Sequence, residues 1–425
     1  MFGKMKAITI LALLAIVAGC AVQKDKNKRL TDYVNPFIGT TTLWDSIDLG
    51  YNPTRRAWGA ETFPGASLPN SMVQVTPVTM WRSGSGYQYE DTIIHAFVHT
   101  SKGHWNLCYV PLIAVSGNVE PKSYYTGYSH DNESASPGYY QVYLKKYDIN
   151  AEVTSSLRCG YHKYTYKNGK EKKLLVDLSH SNEHIRSWNI EKAGDNVFSG
   201  YQQTGPTFYF YAVTNHKIKD IESLKDGDTE VRIVNFINNE NINDPLEMKV
   251  GFSYVSVENA KKNLEAEILK KDFEQVRNEA SDTWEGLLSK IQVSGGTEIQ
   301  KETFYSALYK AFLWPILLSD VNGEYVDAKG EVVNKGFRYY SEPSFWDDYR
   351  NKLILLGMVS PDVTADVIKS ITDYGEIRGF MPRFFHGDHA SVFVTGSYLR
   401  GIHDFDVQKA YKILLNNAFA EGKGS

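Results

Sequence analysis

The chain has 425 residues, 42% hydrophobic and 23% charged, with Lys+Arg 46 against Asp+Glu 50. That composition excludes a disordered chain, a collagen-like chain and a polytopic membrane protein. The slight acidic balance leaves no basic excess for nucleic acid. At roughly 150 residues per domain the length holds two or three domains.

Lys4 and Lys6 precede the apolar run Ala7 to Ala18, and Val17-Ala18-Gly19-Cys20 closes it. The run is short for a bilayer span and has a basic front, so residues 1–19 read as a signal peptide. The small residues before Cys20 resemble a bacterial lipobox. That motif implies acylation of Cys20 and a lipid-anchored protein of the bacterial cell envelope, on its periplasmic or outer surface. An ordinary signal with an incidental cysteine is the alternative. Residues 20–30, polar and Lys-rich, read as a tether. Cys108 and Cys159 match no metal-site spacing; they are either a disulfide or two buried thiols.

Residues 31–256 read as a β-sandwich domain. Leu174 to Leu178, Phe208 to Val213, Val231 to Val234 and Met248 to Phe252 are strand-like runs. Turn residues separate them, at Asn168-Gly169, Asp226-Gly227-Asp228 and Asn241 to Pro245. The aromatic share, 13% with 28 Tyr and 8 Trp, is first of all that of a β-rich core, and it also suits sugar faces and hydroxyls. No CxxC, HExxH, P-loop or GxGxxG pattern occurs.

After Val257 the apolar period changes. Ala260, Leu264, Ile268, Val276, Ala280, Trp284 and Leu287 recur mostly every four residues, with a slip near Phe273. One or two linker helices are predicted over about 257–289, within a helical linker of 257–296. Phe304, Ala307, Leu308, Ala311 and Phe312 form the next helical face, ahead of Pro315. Further helices are predicted near 362–374, 389–401 and 406–419, with Asp388 a candidate N-cap. The whole is an α+β multidomain plan.

Seven segments in order carry a family likeness. They are Val34 to Thr40, Thr62 to Pro77, Gly86 to Thr100, Ser136 to Tyr140, Phe252 to Leu264, Phe304 to Tyr309 and Ser344 to Arg350. Together they resemble glycoside hydrolase family 92, the calcium-dependent exo-α-mannosidases. The resemblance implies an N-terminal β-sandwich, a helical linker and an (α/α)6 barrel, of which 297–425 would be the first part. It also implies Ca2+ as cofactor, terminal mannose of α-mannoside glycans as substrate, α-1,2 linkage as the expected preference, and inversion at the anomeric carbon. A non-catalytic, lipid-anchored glycan-binding fragment is the alternative.

Trp346-Asp347-Asp348-Tyr349-Arg350 resembles the family's Trp-Asp-Thr-(Phe/Tyr)-Arg segment, which implies that Trp346 and Asp347 bind the terminal sugar. An indole face packs on a pyranose ring and a carboxylate accepts from its hydroxyls. Asp348 stands where the family has Thr, and a plain helix start is the competing reading. The loop at Gly103-His104-Trp105-Asn106 implies sugar contacts from His104 and Trp105; a surface loop with one buried Trp is the alternative. Gly396 stands where the family often has an acid, which puts the sugar preference in question.

An inverting glycosidase needs a protonated carboxyl and a second carboxylate about 6.5–9.5 Å away. The family supplies them from Asn-Glu-Pro-Ser-type and Asp-Asn-Gly-Gln-type segments, and neither is present. After residue 296 only 129 residues remain, whereas twelve helices with loops need on the order of 300. No catalytic acid or base is therefore assigned within the chain, and both are expected beyond residue 425.

Overall fold

A computed structural model describes residues 28–43, 50–52, 59–102, 105–167, 170–237, 244–383 and 387–419. The expected signal peptide, Cys20, His104 and the Asn168-Gly169 turn lie outside the described residues.

Two antiparallel sheets build the N-terminal half. One is seven-stranded, in the order 66–67, 74–78, 96–98, 112–115, 173–176, 229–236 and 218–226. The other is eight-stranded, in the order 187–194, 197–203, 207–214, 246–253, 159–166, 149–155, 139–144 and 133–136. Side chains alternate across each strand, so one face of each can be apolar. In Thr207–Thr214 the pattern is strict: Phe208, Phe210 and Ala212 are buried, and the residues between them are partly exposed. Phe208 stacks on Phe252, with centroids 5.0 Å apart. Phe97 of one sheet meets Tyr140 of the other edge-on at 6.2 Å. One continuous apolar core holds both inner faces, as a sandwich requires.

Cys108 and Cys159 are buried free thiols, and burial raises both their pKa values. This settles the choice left by their spacing.

Helix α1 (Val257–Glu267) begins where the apolar period changes, and Ser256 caps it by accepting from the Asn259 amide. It lies on the outer face of the larger sheet, packing Leu264 and Ile268 against Cys159 and Tyr161. Gly251 permits the approach: a Cβ there would stand 2.2 Å from the Ala260 carbonyl. Helix α2 (Phe273–Leu288) starts at the periodic slip, with an Asp272–Gln275 capping box. Helix α3 (Glu298–Ala311) follows, with a Thr297–Gln300 box. Beyond it come α4 (Phe345–Asp348), α5 (Lys352–Val359), α6 (Pro361–Arg378), α7 (His389–Leu399) and α8 (Val407–Phe419). The Asp388 carboxylate does cap α7, through the Ser391 amide and hydroxyl.

The halves are joined by side chains on backbone. Leu30 and Thr31 donate their amides to the Glu285 carboxylate, and Lys28 and Arg29, at the end of the expected tether, pair with Glu298 and Asp282. Asn70 of the sandwich accepts from the Leu317 amide and donates its side-chain amide to the Pro315 carbonyl at 2.8 Å. Buried Asp320 accepts from Ser253, Asn259 and Asn263 at once, tying strand, linker and the segment after α3. A buried carboxylate so supplied with donors is not left uncompensated.

Candidate functional site

A cavity of about 200 Å³ opens at this seam. Ala60 to Phe63 of the sandwich form one wall; Lys310, Leu313, Trp314, Ser344, Asp347, Asp348 and Lys352 form the other. Asp347 is thus placed in a concave, mixed polar and aromatic site. It is held by Ser344, whose hydroxyl donates to Asp347 Oδ2 at 2.6 Å.

Trp346 precedes it on the single turn of α4 and is 38% exposed. Its ring lies 5.8 Å from His389, and Tyr349 stacks on the same imidazole at 4.2 Å. The N-terminus of α7 therefore brings His389 to the Trp-Asp segment. His389 Nε2 and Trp314 Nε1 are buried without a hydrogen-bond partner. Trp314 lies on the cavity wall, and its indole N–H is a buried donor without a partner, which is unusual. It has no motif around it, and sequence reasoning missed it.

Asp348, the departure from the family segment, is 8% exposed and pairs with Lys352 at 3.0 Å. Burial lifts the Asp348 pKa and lowers that of Lys352; their attraction opposes both shifts. Burial also pushes Lys310 down to about 7, and its ammonium donates to the Pro36 carbonyl. Asp348 and Asp347 both stand in the single turn of α4 and both line the cavity; Asp348 also ties α4 to α5 through Lys352.

Trp105 does not line this cavity. Its indole donates to Glu183 at 2.9 Å, on a small hairpin of Ser101–Lys102 with Trp105–Asn106. The hairpin is nevertheless connected to the wall. Asn106 donates to the Gly84 and Ser85 carbonyls, and Gly84 lies so close to Glu61 that a Cβ would meet its carboxylate at 2.3 Å.

Calcium needs several oxygen ligands. Among the described residues no group of three or more His, Cys, Asp or Glu side chains converges. The cavity's carboxylates also share it with two lysines. The described residues do not fit a calcium site by themselves.

A β-sandwich welded to paired helices, with a carboxylate and aromatic residues in a cavity at the seam, is a two-part α+β architecture with a ligand cleft between its halves. The "Glycosyl hydrolase family 92 N-terminal domain" matches residues 33–265, and the "Glycosyl hydrolase family 92 catalytic domain" matches 259–425. The chain belongs to glycosyl hydrolase family 92.

Solved structures share its fold. A family 92 α-mannosidase from Bacteroides thetaiotaomicron matches at TM-score 0.83 and 24% identity, over 93% of this chain and 57% of that one. The same enzyme with mannoimidazole bound matches at TM-score 0.83 and 24% identity, over 93% and 56% of the two chains. A family 92 inverting mannosidase from B. thetaiotaomicron VPI-5482 matches at TM-score 0.81 and 22% identity, over 94% and 57%. The chain thus spans about 57% of the length of these structures. No curated protein matched the sequence.

Proposed function

We propose that the chain is an exo-α-mannosidase-type protein whose seam cavity binds the terminal mannose of an α-linked glycan. The observation that carries the reading is Asp347 in the cavity wall, on the Trp-Asp segment, with Trp314 on the same wall. The carboxylate accepts hydrogen bonds from sugar hydroxyls, and the indoles offer apolar faces to the ring. α-1,2 linkage is the preferred substrate in this proposal. Calcium is the cofactor that the family resemblance implies for this reading.

We also propose that the chain sits at the cell envelope with Cys20 as its lipid anchor, and the competing reading of the cavity is glycan binding without hydrolysis. Purified chain incubated with α-1,2-, α-1,3- and α-1,6-mannobiose, with and without calcium, separates the two. Mannose release fastest from the α-1,2 isomer supports the enzyme. Binding by calorimetry without release supports the second role. Neither release nor binding rejects both. Globomycin treatment of expressing bacteria, with accumulation of the uncleaved precursor, tests the anchor; unchanged processing rejects it.

A further inference from the structure

The first described residues are laid along α3. Lys28 pairs with Glu298, at the N-terminal end of the helix, at 3.0 Å. Tyr33 stacks on Tyr305 with centroids 5.7 Å apart. Asn35 donates its backbone amide to the Ser306 hydroxyl at 2.8 Å and its side-chain amide to Glu302 at 2.9 Å. Lys310, near the C-terminal end, donates to the Pro36 carbonyl at 2.8 Å. Chain and helix therefore travel in the same direction. From Glu298 to Lys310 the helix rises about 18 Å. Lys310 lines the seam cavity and Glu298 does not. The length of α3 thus separates the point where the chain enters the fold from the cavity.

That entry is pinned. Arg29 pairs with Asp282 of α2 at 2.7 Å and stands 3.7 Å from Glu285, whose carboxylate takes the Leu30 and Thr31 amides. Lys28 is eight residues from Cys20. Eight residues of chain reach at most about 29 Å. An acyl group on Cys20 therefore keeps the N-terminal end of α3 within that reach of a bilayer.

The same end carries exposed apolar side chains. Residues 292–300, which lead into α3, are all exposed; Ile299 is 74% and Val293 39% exposed. Ile299 directly follows the Glu298 that holds Lys28. The Val293 amide donates to the Tyr305 hydroxyl at 3.2 Å, beside the Tyr33 ring. Glu298 is the one charged residue between 292 and 300, and Lys28 and Lys301 pair with it at 3.0 and 3.3 Å. No unpaired negative charge in this segment opposes contact with anionic headgroups.

We propose that this end of α3, with Val293 and Ile299, rests on the membrane surface and holds the seam cavity at the far end of the helix, away from the bilayer. The inference rests on Cys20 as the lipid anchor. The test uses the full chain, purified from expressing bacteria and reconstituted on vesicles of phosphatidylethanolamine and phosphatidylglycerol. Cys108 and Cys159 are buried, so one introduced cysteine takes a fluorescent label selectively. Ile299→Cys is compared with Arg350→Cys, an exposed position just after the cavity-lining turn of α4. Lipid carrying a nitroxide on its headgroup is the quencher. The label at position 299 is expected to lose most of its emission and the label at 350 to keep most of it. Equal quenching at both positions, stronger quenching at 350, or none at either overturns the proposal. Mass spectrometry of the N-terminal peptide tells the two failures apart. An acylated Cys20 with any of those patterns removes the orientation and leaves the anchor standing. A Cys20 without an acyl group removes the anchor and the orientation with it.

Discussion

Replacing Lys352 by Met isolates the ion pair that stands where the family has a threonine. Asp348 and Lys352 are 3.0 Å apart, with side chains 11% and 18% exposed. Burial is the largest influence on both, and it pushes each toward its neutral form. Removing one partner of a buried pair costs about 3–5 kcal/mol, because a charge is left without compensation. Asp348 keeps a small solvent contact, so the lower end applies, about 3 kcal/mol. Native-state hydrogen exchange of the α5 amides reads this as exchange more than about 100-fold faster, if α5 opens as a unit. The pH dependence has a definite sign. The Asp348 pKa is already raised in the folded state and rises further without Lys352, so the cost is full near neutral pH. It shrinks as the pH falls and the carboxyl protonates. The double variant Asp348→Thr with Lys352→Met removes both charges and restores most of the stability. A double variant as labile as the single one, or a cost independent of pH, refutes the reasoning.

Three further outcomes are expected. Trp346→Ala weakens mannoside binding about tenfold by calorimetry, since one apolar sugar face loses its partner; unchanged binding removes Trp346 from the site. Gly251→Ala forces α1 off the sheet, because the new Cβ would lie 2.2 Å from the Ala260 carbonyl; it costs about 2–3 kcal/mol, read as a lower urea midpoint. His99 and His162 touch through Nε2 atoms at 3.0 Å, and burial holds His99 down to about 3 and His162 well below its usual value. Their neutral forms favour the fold above about pH 6.5, and stability is lost as pH falls from there toward about 3. Urea midpoints between pH 7 and 4 measure that slope, and replacing both histidines by Gln should flatten it.

Long, patterned elements were legible in the sequence, because their period is set by burial on one side. Phe208 to Val213 fell inside Thr207–Thr214, and the slip near Phe273 marks the gap between α1 and α2. Helix α5 was not legible, because Leu353 to Leu356 is apolar all round and shows no face. Short α4 has too few residues for a period at all. Of the predicted site, Asp347 lines the cavity, Trp346 packs against His389 off its wall, and Trp105 lies on another part of the sandwich. Trp314 and Lys310 carried no signal, since their relevance comes only from the opposing wall at Ala60 to Phe63.

That opposing wall gives the linker a functional meaning. Neither half contains the cavity: Glu61 and Phe63 come from the sandwich, and Asp347 comes from α4. Its width is therefore set by the contacts that fix one half against the other. Those contacts are individually modest, about 1 kcal/mol for a neutral hydrogen bond and more for a charged one. They act together, however, at Leu30 and Thr31 on Glu285, at Asn70 on the Pro315 carbonyl and at Asp320 on Asn259 and Asn263. A small displacement of one wall would separate Asp347 from any sugar held against Phe63. Residues off the cavity wall, such as Asn70 and Asp320, thus set its width, and their loss would act on ligand binding through geometry and not through contact.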